Sequence, residues 1–172
     1  MNTAANENKN EIFEKENALG VPVKTVQFKL ERSITLNEQQ LRDLLSTASA
    51  ACGGFDYWSW SEEEYQDAKL QLLAERSETD DDLCREDIWA RLLFNGGHLW
   101  LLEAESDAIN DIESDDWHLV GLNDICNGLK LYLSDDSFDR ALGSVESIIE
   151  EGDFWDADAV MQYAAYGEVI YG

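Results

Sequence analysis

The chain has 172 residues, 44 % apolar and 10 % aromatic, with 37 acids against 12 bases and a net charge of −25. That is enough material for one packed domain, so general disorder is excluded, and no apolar run approaches the roughly 20 residues of a membrane span. Cys52, Cys84 and Cys126 are odd in number and far apart, without CxxC or CxxH spacing. This argues against a disulfide framework or structural zinc and fits a reducing cytosol.

Residues 1–20 are polar, carry no secretory pattern of a basic block before an apolar one, and are expected to form a mobile tail or loose helix. A single acidic domain is expected over 21–172. After Pro22, residues 25–31 alternate strictly, with Val26, Phe28 and Leu30 on one face, which predicts a half-buried strand. The segment TLNEQQLRDLLSTASA predicts a helix with Leu41, Leu44, Leu45 and Ala48 as its apolar stripe. Gly53 and Gly54 end it with turn geometry, and FDYWSW follows as an extended, aromatic connection.

Ser61 with Glu64 three residues on is a capping box, so a second helix starts there, turns Tyr65, Ala68, Leu72 and Leu73 inward and ends near Arg76. The loop SETDDD supplies an aspartate to cap a third helix burying Leu83, Ile88, Leu92 and Leu93, which Asn95-Gly96-Gly97 stops. Strands at 98–103 and 117–122 are expected as an antiparallel pair. Asn123 or Asp124 caps a fourth helix with Ile125, Leu129 and Tyr132. A fifth covers about 138–149, and a sixth about 157–166 with Val160, Met161 and Ala164 inward and Gly167 beyond its end. Asp156 and Asp158 suit the positive end of that last helix. About three strands and six helices in mixed order predict an α+β fold: a small antiparallel sheet packed with helices.

Three blocks resemble a family of small proteins without assigned activity found in phages and prophages. They are ITLNEQQLRDLLSTASAACGGFDYW (34–58), NGGHLWLLEAESD (95–107) running on into WHLVGL and NDICNGLKLYL, and DADAVMQYAAYGEVIYG (156–172). SETDDDLCRED and AINDIESDD are more acidic than that family's pattern. The resemblance implies a phage context and a fold, and transfers no catalytic residue.

Enzymatic motifs are missing: the sequence has no G-x-S-x-G, Walker loop, Rossmann fingerprint or HExxH, and it implies no cofactor. His98 and His118 begin two strands that could bring them together, but no third metal ligand follows at known spacing, so structural roles are expected. The loop from Asp111 fails as a calcium site because Asp116 stands where glycine is needed and Leu122 where the final glutamate belongs. The aromatic cluster Phe55, Tyr57, Trp58 and Trp60 is surrounded by Asp56, Glu62, Glu63 and Glu64, which would repel phosphates. A core or protein-interface role is expected there instead of base stacking.

Charge carries the functional reading. Residues 1–32 hold five acids and five bases, so residues 33–172 bear the whole −25. Duplex DNA presents a phosphate every ~3.4 Å along each strand, and carboxylates three or four apart on a helix lie ~5–6 Å apart. A folded acidic surface can therefore offer a similar field to a basic cleft. The expected function is a non-enzymatic DNA mimic of the anti-restriction or anti-CRISPR type. In the cytoplasm of a bacterial host it would occupy the basic nucleic-acid channel of a defence enzyme, binding neither nucleic acid nor membrane itself. The expected binding surface is Glu78, Asp80, Asp81, Asp82, Glu86 and Asp87, with Glu103, Glu105, Asp107, Asp111, Glu113, Asp115 and Asp116 of the 103–116 connection. Two alternatives are a phage assembly or regulatory module that binds through the aromatic patch, and a soluble acidic protein whose charge has no binding role.

Overall fold

The computed structural model describes residues 11–16, 22–27, 35–50, 53–76, 82–135 and 144–171. The chain divides into two compact units, 1–34 and 35–172. In the first, β1 (Glu11–Glu16) pairs antiparallel with β2 (Pro22–Gln27), from Glu11 opposite Gln27 to Glu16 opposite Pro22. Residues 11–16 of the expected tail or loose helix are therefore a strand, and the rest of that tail, 1–10 and 17–20, lies outside the described residues. The expected strand at 25–31 starts earlier and belongs to this two-stranded ribbon, and its residues 28–31 lie outside the described ones. Alternation revealed one strand, but the backbone pairing that recruits a polar neighbour leaves no periodic trace.

The second unit is α+β as expected. Its helices are α1 (Glu38–Ala50), α2 (Glu62–Arg76), α3 (Arg85–Phe94), α4 (Leu122–Ser134), α5 (Val145–Glu151) and α6 (Phe154–Tyr166). Its sheet is β3 (Phe55–Trp60), β4 (His98–Glu103) and β5 (Trp117–Gly121), antiparallel in that order with β4 central. The third strand is thus FDYWSW, expected as a connection. Its aromatic residues suit a pleated surface, and a bulge between Phe55 and Tyr57 turns both Phe55 and Trp58 toward the core.

Side-chain-to-backbone hydrogen bonds start the helices, and they are reciprocal at α1, α5 and α6. Asn37 and Gln40 exchange side-chain-to-backbone bonds ahead of α1 (2.9 and 3.0 Å). The Ser61 hydroxyl accepts from Glu64 N before α2. α3 is capped at Cys84 and α4 at Gly121, and in both the aspartate three residues on reaches back to the cap N–H. The expected caps inside SETDDD and at Asn123 or Asp124 are therefore displaced, with Asp124 acting from the N3 position. At α6 the cap is Asp153, whose carboxylate accepts from Trp155 N and Asp156 N, while Asp156 accepts from Asp153 N. The αL glycine after α6 is Gly167, as expected.

The helical stripes close over one face of the sheet. Leu41, Leu44, Leu45, Ile88, Trp89, Leu93, Leu99, Leu101, Val120, Ile125, Tyr132, Val160 and Met161 form one buried cluster. Trp58 and Trp60 pack on Trp89 at 5.3 Å between ring centres. α4 and α6 meet at Gly128, where a Cβ would lie 2.5 Å from the Val160 carbonyl oxygen.

Gly53 and Gly54 serve close approach, since neither has positive φ. A Cβ on Gly53 would meet the Asp158 carboxylate at 2.4 Å, and one on Gly54 would meet Gln162 at 2.8 Å. Asp158 is accordingly a buried helix residue and not a helix-start charge: it accepts from Gly54 N (2.9 Å) and from Gln162 Nε2 (2.7 Å). Gln162 in turn binds the backbone of Ile170 and Tyr171, fastening the C-terminal segment to α6.

Candidate functional site

Five of the seven cations of the second unit lie on α1–α3. Arg42 lies beside Asp43 and Asp87, Arg76 beside Asp87 and Glu38, Arg85 beside Glu86, and Arg91 between Glu38 and Glu75. These ion pairs fall on the same three helices. From residue 95 onward the sequence has 18 acids and only two bases, Lys130 and Arg140.

This arrangement separates the two acidic segments singled out in the sequence. Glu78, Asp80 and Asp81 lie outside the described residues. Asp82 is exposed, and half-buried Glu86 pairs with Arg85 at 3.0 Å. Asp87 corrects the expected surface, because it is 7 % exposed and structural. Its carboxylate accepts from Cys84 N (3.2 Å), Cys84 Sγ (2.8 Å) and Arg76 (3.1 Å). Burial opposes its charge, but the Cys84 and Arg76 hydrogen bonds outweigh burial and hold its carboxyl below the ordinary range. The same geometry raises the Cys84 thiol, through burial first and its bond to Asp87 second.

The 103–116 connection is built differently. Consecutive turns shape it: Ser106 N to Glu103 O, Asp111 N to Ala108 O, Ser114 N to Asp111 O and Trp117 N to Ser114 O. Glu105 takes a left-handed φ of 66°, with its N–H donating to Asp56 at 3.1 Å. The Trp117 indole N–H reaches Ala108 O at 3.0 Å, and Ser106 Oγ donates to Asp116 at 2.5 Å. Glu103 accepts from the Tyr171 hydroxyl at 2.7 Å. Glu103 and Asp116 are therefore half-buried and engaged, while Glu105, Asp107, Asp111, Glu113 and Asp115 stand in solvent. Five like charges on a segment fastened by its own turns form a fixed acidic display.

The other constellations resolve into structure. His98 pairs with Gly121 and His118 with Leu101, three positions apart along β4, so the two imidazoles lie on opposite faces of the sheet. His118 packs edge-on against Tyr166 at 4.5 Å between ring centres. Among the described residues no group of three or more His, Cys, Asp or Glu converges as a metal site, and no helix is long and apolar enough to cross a membrane. The aromatic segment is divided: Phe55, Trp58 and Trp60 join or flank the core, and Tyr57 alone is 48 % exposed.

Sequence reasoning missed the outer sheet face. Ser59, Trp100 and Leu119 stand in one cross-strand row and Tyr57, Leu102 and Trp117 in the next. Alternation in HLWLLE hinted at a second apolar face, but the row became visible only with the register. Comparison of the chain with family models, curated proteins and solved structures gave no match.

Proposed function

We propose that this protein is a non-enzymatic acidic decoy that occupies the basic nucleic-acid-binding channel of a bacterial defence enzyme. One observation carries the reading: five exposed carboxylates on the fastened 103–116 connection, while five of the seven cations of residues 35–172 lie on α1–α3. Charges held in place by turns lose little conformational freedom when a cationic partner arrives, and like charges without local compensation steer such partners over a Debye length. The resemblance to phage and prophage proteins favours a defence enzyme, of restriction or CRISPR type, as the target and the host cytoplasm as the place of action.

The test is capture from a bacterial lysate at low salt with elution along a salt gradient, with duplex DNA as competitor. Asp111→Asn, Glu113→Gln and Asp115→Asn together are expected to slow association several-fold at low salt. Exposed charges contribute little to folding, so stability should stay within about 0.5 kcal/mol. Unchanged capture by this triple variant, or capture that duplex DNA does not relieve, refutes the reading.

A further inference from the structure

Resting on the decoy reading, we infer that the outer face of the β3–β4–β5 sheet is the apolar half of the docking surface. Its occupant is a lysine- and arginine-rich segment of a nucleic-acid-binding protein that carries apolar side chains between its cations. The helices bury Leu99, Leu101 and Val120 on the inner face. On the outer face Tyr57 is 48 % and Leu119 52 % exposed, with Trp100 half-buried between Ser59 and Leu119. Scattered exposed apolar residues are ordinary. Here Tyr57 and Leu119 lie in neighbouring cross-strand rows of this face, with half-buried Trp100 and Trp117 and fully buried Leu102 between and beside them, so together they make one apolar platform. The acidic connection folds back to the same face through the Trp117–Ala108 bond and carries exposed Ile109 and Ile112 among its carboxylates.

Charge selects the occupant. The Asp56 carboxylate accepts from Glu105 N, and Asp116 directly precedes β5 with its carbonyl on Glu103 N, so acids border the platform at the end of the sheet where β3 and β5 begin. A second copy would bring the same acids against this border, and anionic lipid or nucleic acid would be repelled as well. A cationic segment answers the border, its apolar side chains cover Leu119, and its cations can lie over the rings of Tyr57 and Trp100.

The full-length protein, isotope-labelled for NMR, is titrated with two peptides of equal length and charge, one alternating lysine with leucine and one lysine with serine. The expected result is about tenfold tighter binding of the leucine peptide at physiological salt. Shifts should appear at Tyr57, Trp100 and Leu119 in addition to 103–116. Leu119→Ser, at an exposed position, should remove most of that preference without moving the spectrum elsewhere. Equal affinities with shifts confined to 103–116 overturn the platform and leave the decoy reading standing, whereas no binding of either peptide overturns both. Concentration-dependent self-association mapping to the same residues assigns the face to a second copy and overturns the proposal.

Discussion

Replacing Gly128 with alanine tests the α4–α6 contact because two effects of opposite sign compete there. In an exposed helix interior, glycine to alanine stabilises by about 0.5–1 kcal/mol through backbone entropy. Here the new Cβ would sit 2.5 Å from Val160 O and 2.9 Å from Ala164 N, both inside the 3.0 Å that real Cβ contacts respect. The obstruction is backbone, so no rotamer change relieves it, and one helix must retreat by about half an ångström. That retreat loosens packing around the buried Leu129, Tyr132, Val160 and Met161. Overpacking of this kind costs about 2–3 kcal/mol, leaving a net loss of about 1–2 kcal/mol after the propensity gain. For a chain of this size that is a fall of about 2–8 °C in Tm, readable by circular dichroism or calorimetry. A Gly128→Ala protein that melts at or above the parent would refute the close helix crossing.

Two further outcomes follow from the core and from the C-terminal clasp. Met161→Ala, at a fully buried position, should lower stability by about 2–4 kcal/mol in denaturant unfolding. Because added salt screens self-repulsion in a chain of charge −25, part of that loss should be recovered at higher ionic strength; parent-like midpoints at both salts would place α6 outside the core. The hydrogen bond to Glu103 pushes the Tyr171 hydroxyl up to about 12, above an ordinary value of about 10. Its contribution is thus complete below pH 10 and is lost as pH rises through 12. Tyr171→Phe should flatten the decline of the urea midpoint across that window, with burial of Tyr166 and Tyr65 supplying the remaining slope; an unchanged decline would show that the clasp does not hold in solution.

The helices were legible in the sequence because helical periodicity is a property of neighbours along the chain. Leu41, Leu44, Leu45 and Ala48 lie on one stripe whatever they pack against, and all four are buried. Val160 and Met161 are buried on α6 as expected, although there burial runs all round the helix from Ala157 to Tyr163 and leaves Ala164 half-buried. The net charge required no structure to be read. Pairing is a different quantity. That FDYWSW joins the sheet, and that residues 11–16 pair as a strand, depends on partners far along the chain or on backbone bonds indifferent to side-chain pattern.

Burial of charge is likewise decided by contacts. Asp80 and Asp87 read alike in an acidic stretch, yet Asp87 closes a helix start and meets Arg76, whereas the connection at 103–116 keeps five carboxylates in solvent. Composition sets how much negative charge the protein carries. Only the tertiary structure decides which carboxylates are compensated, because a sequence does not state which cation stands within a few ångströms of which acid.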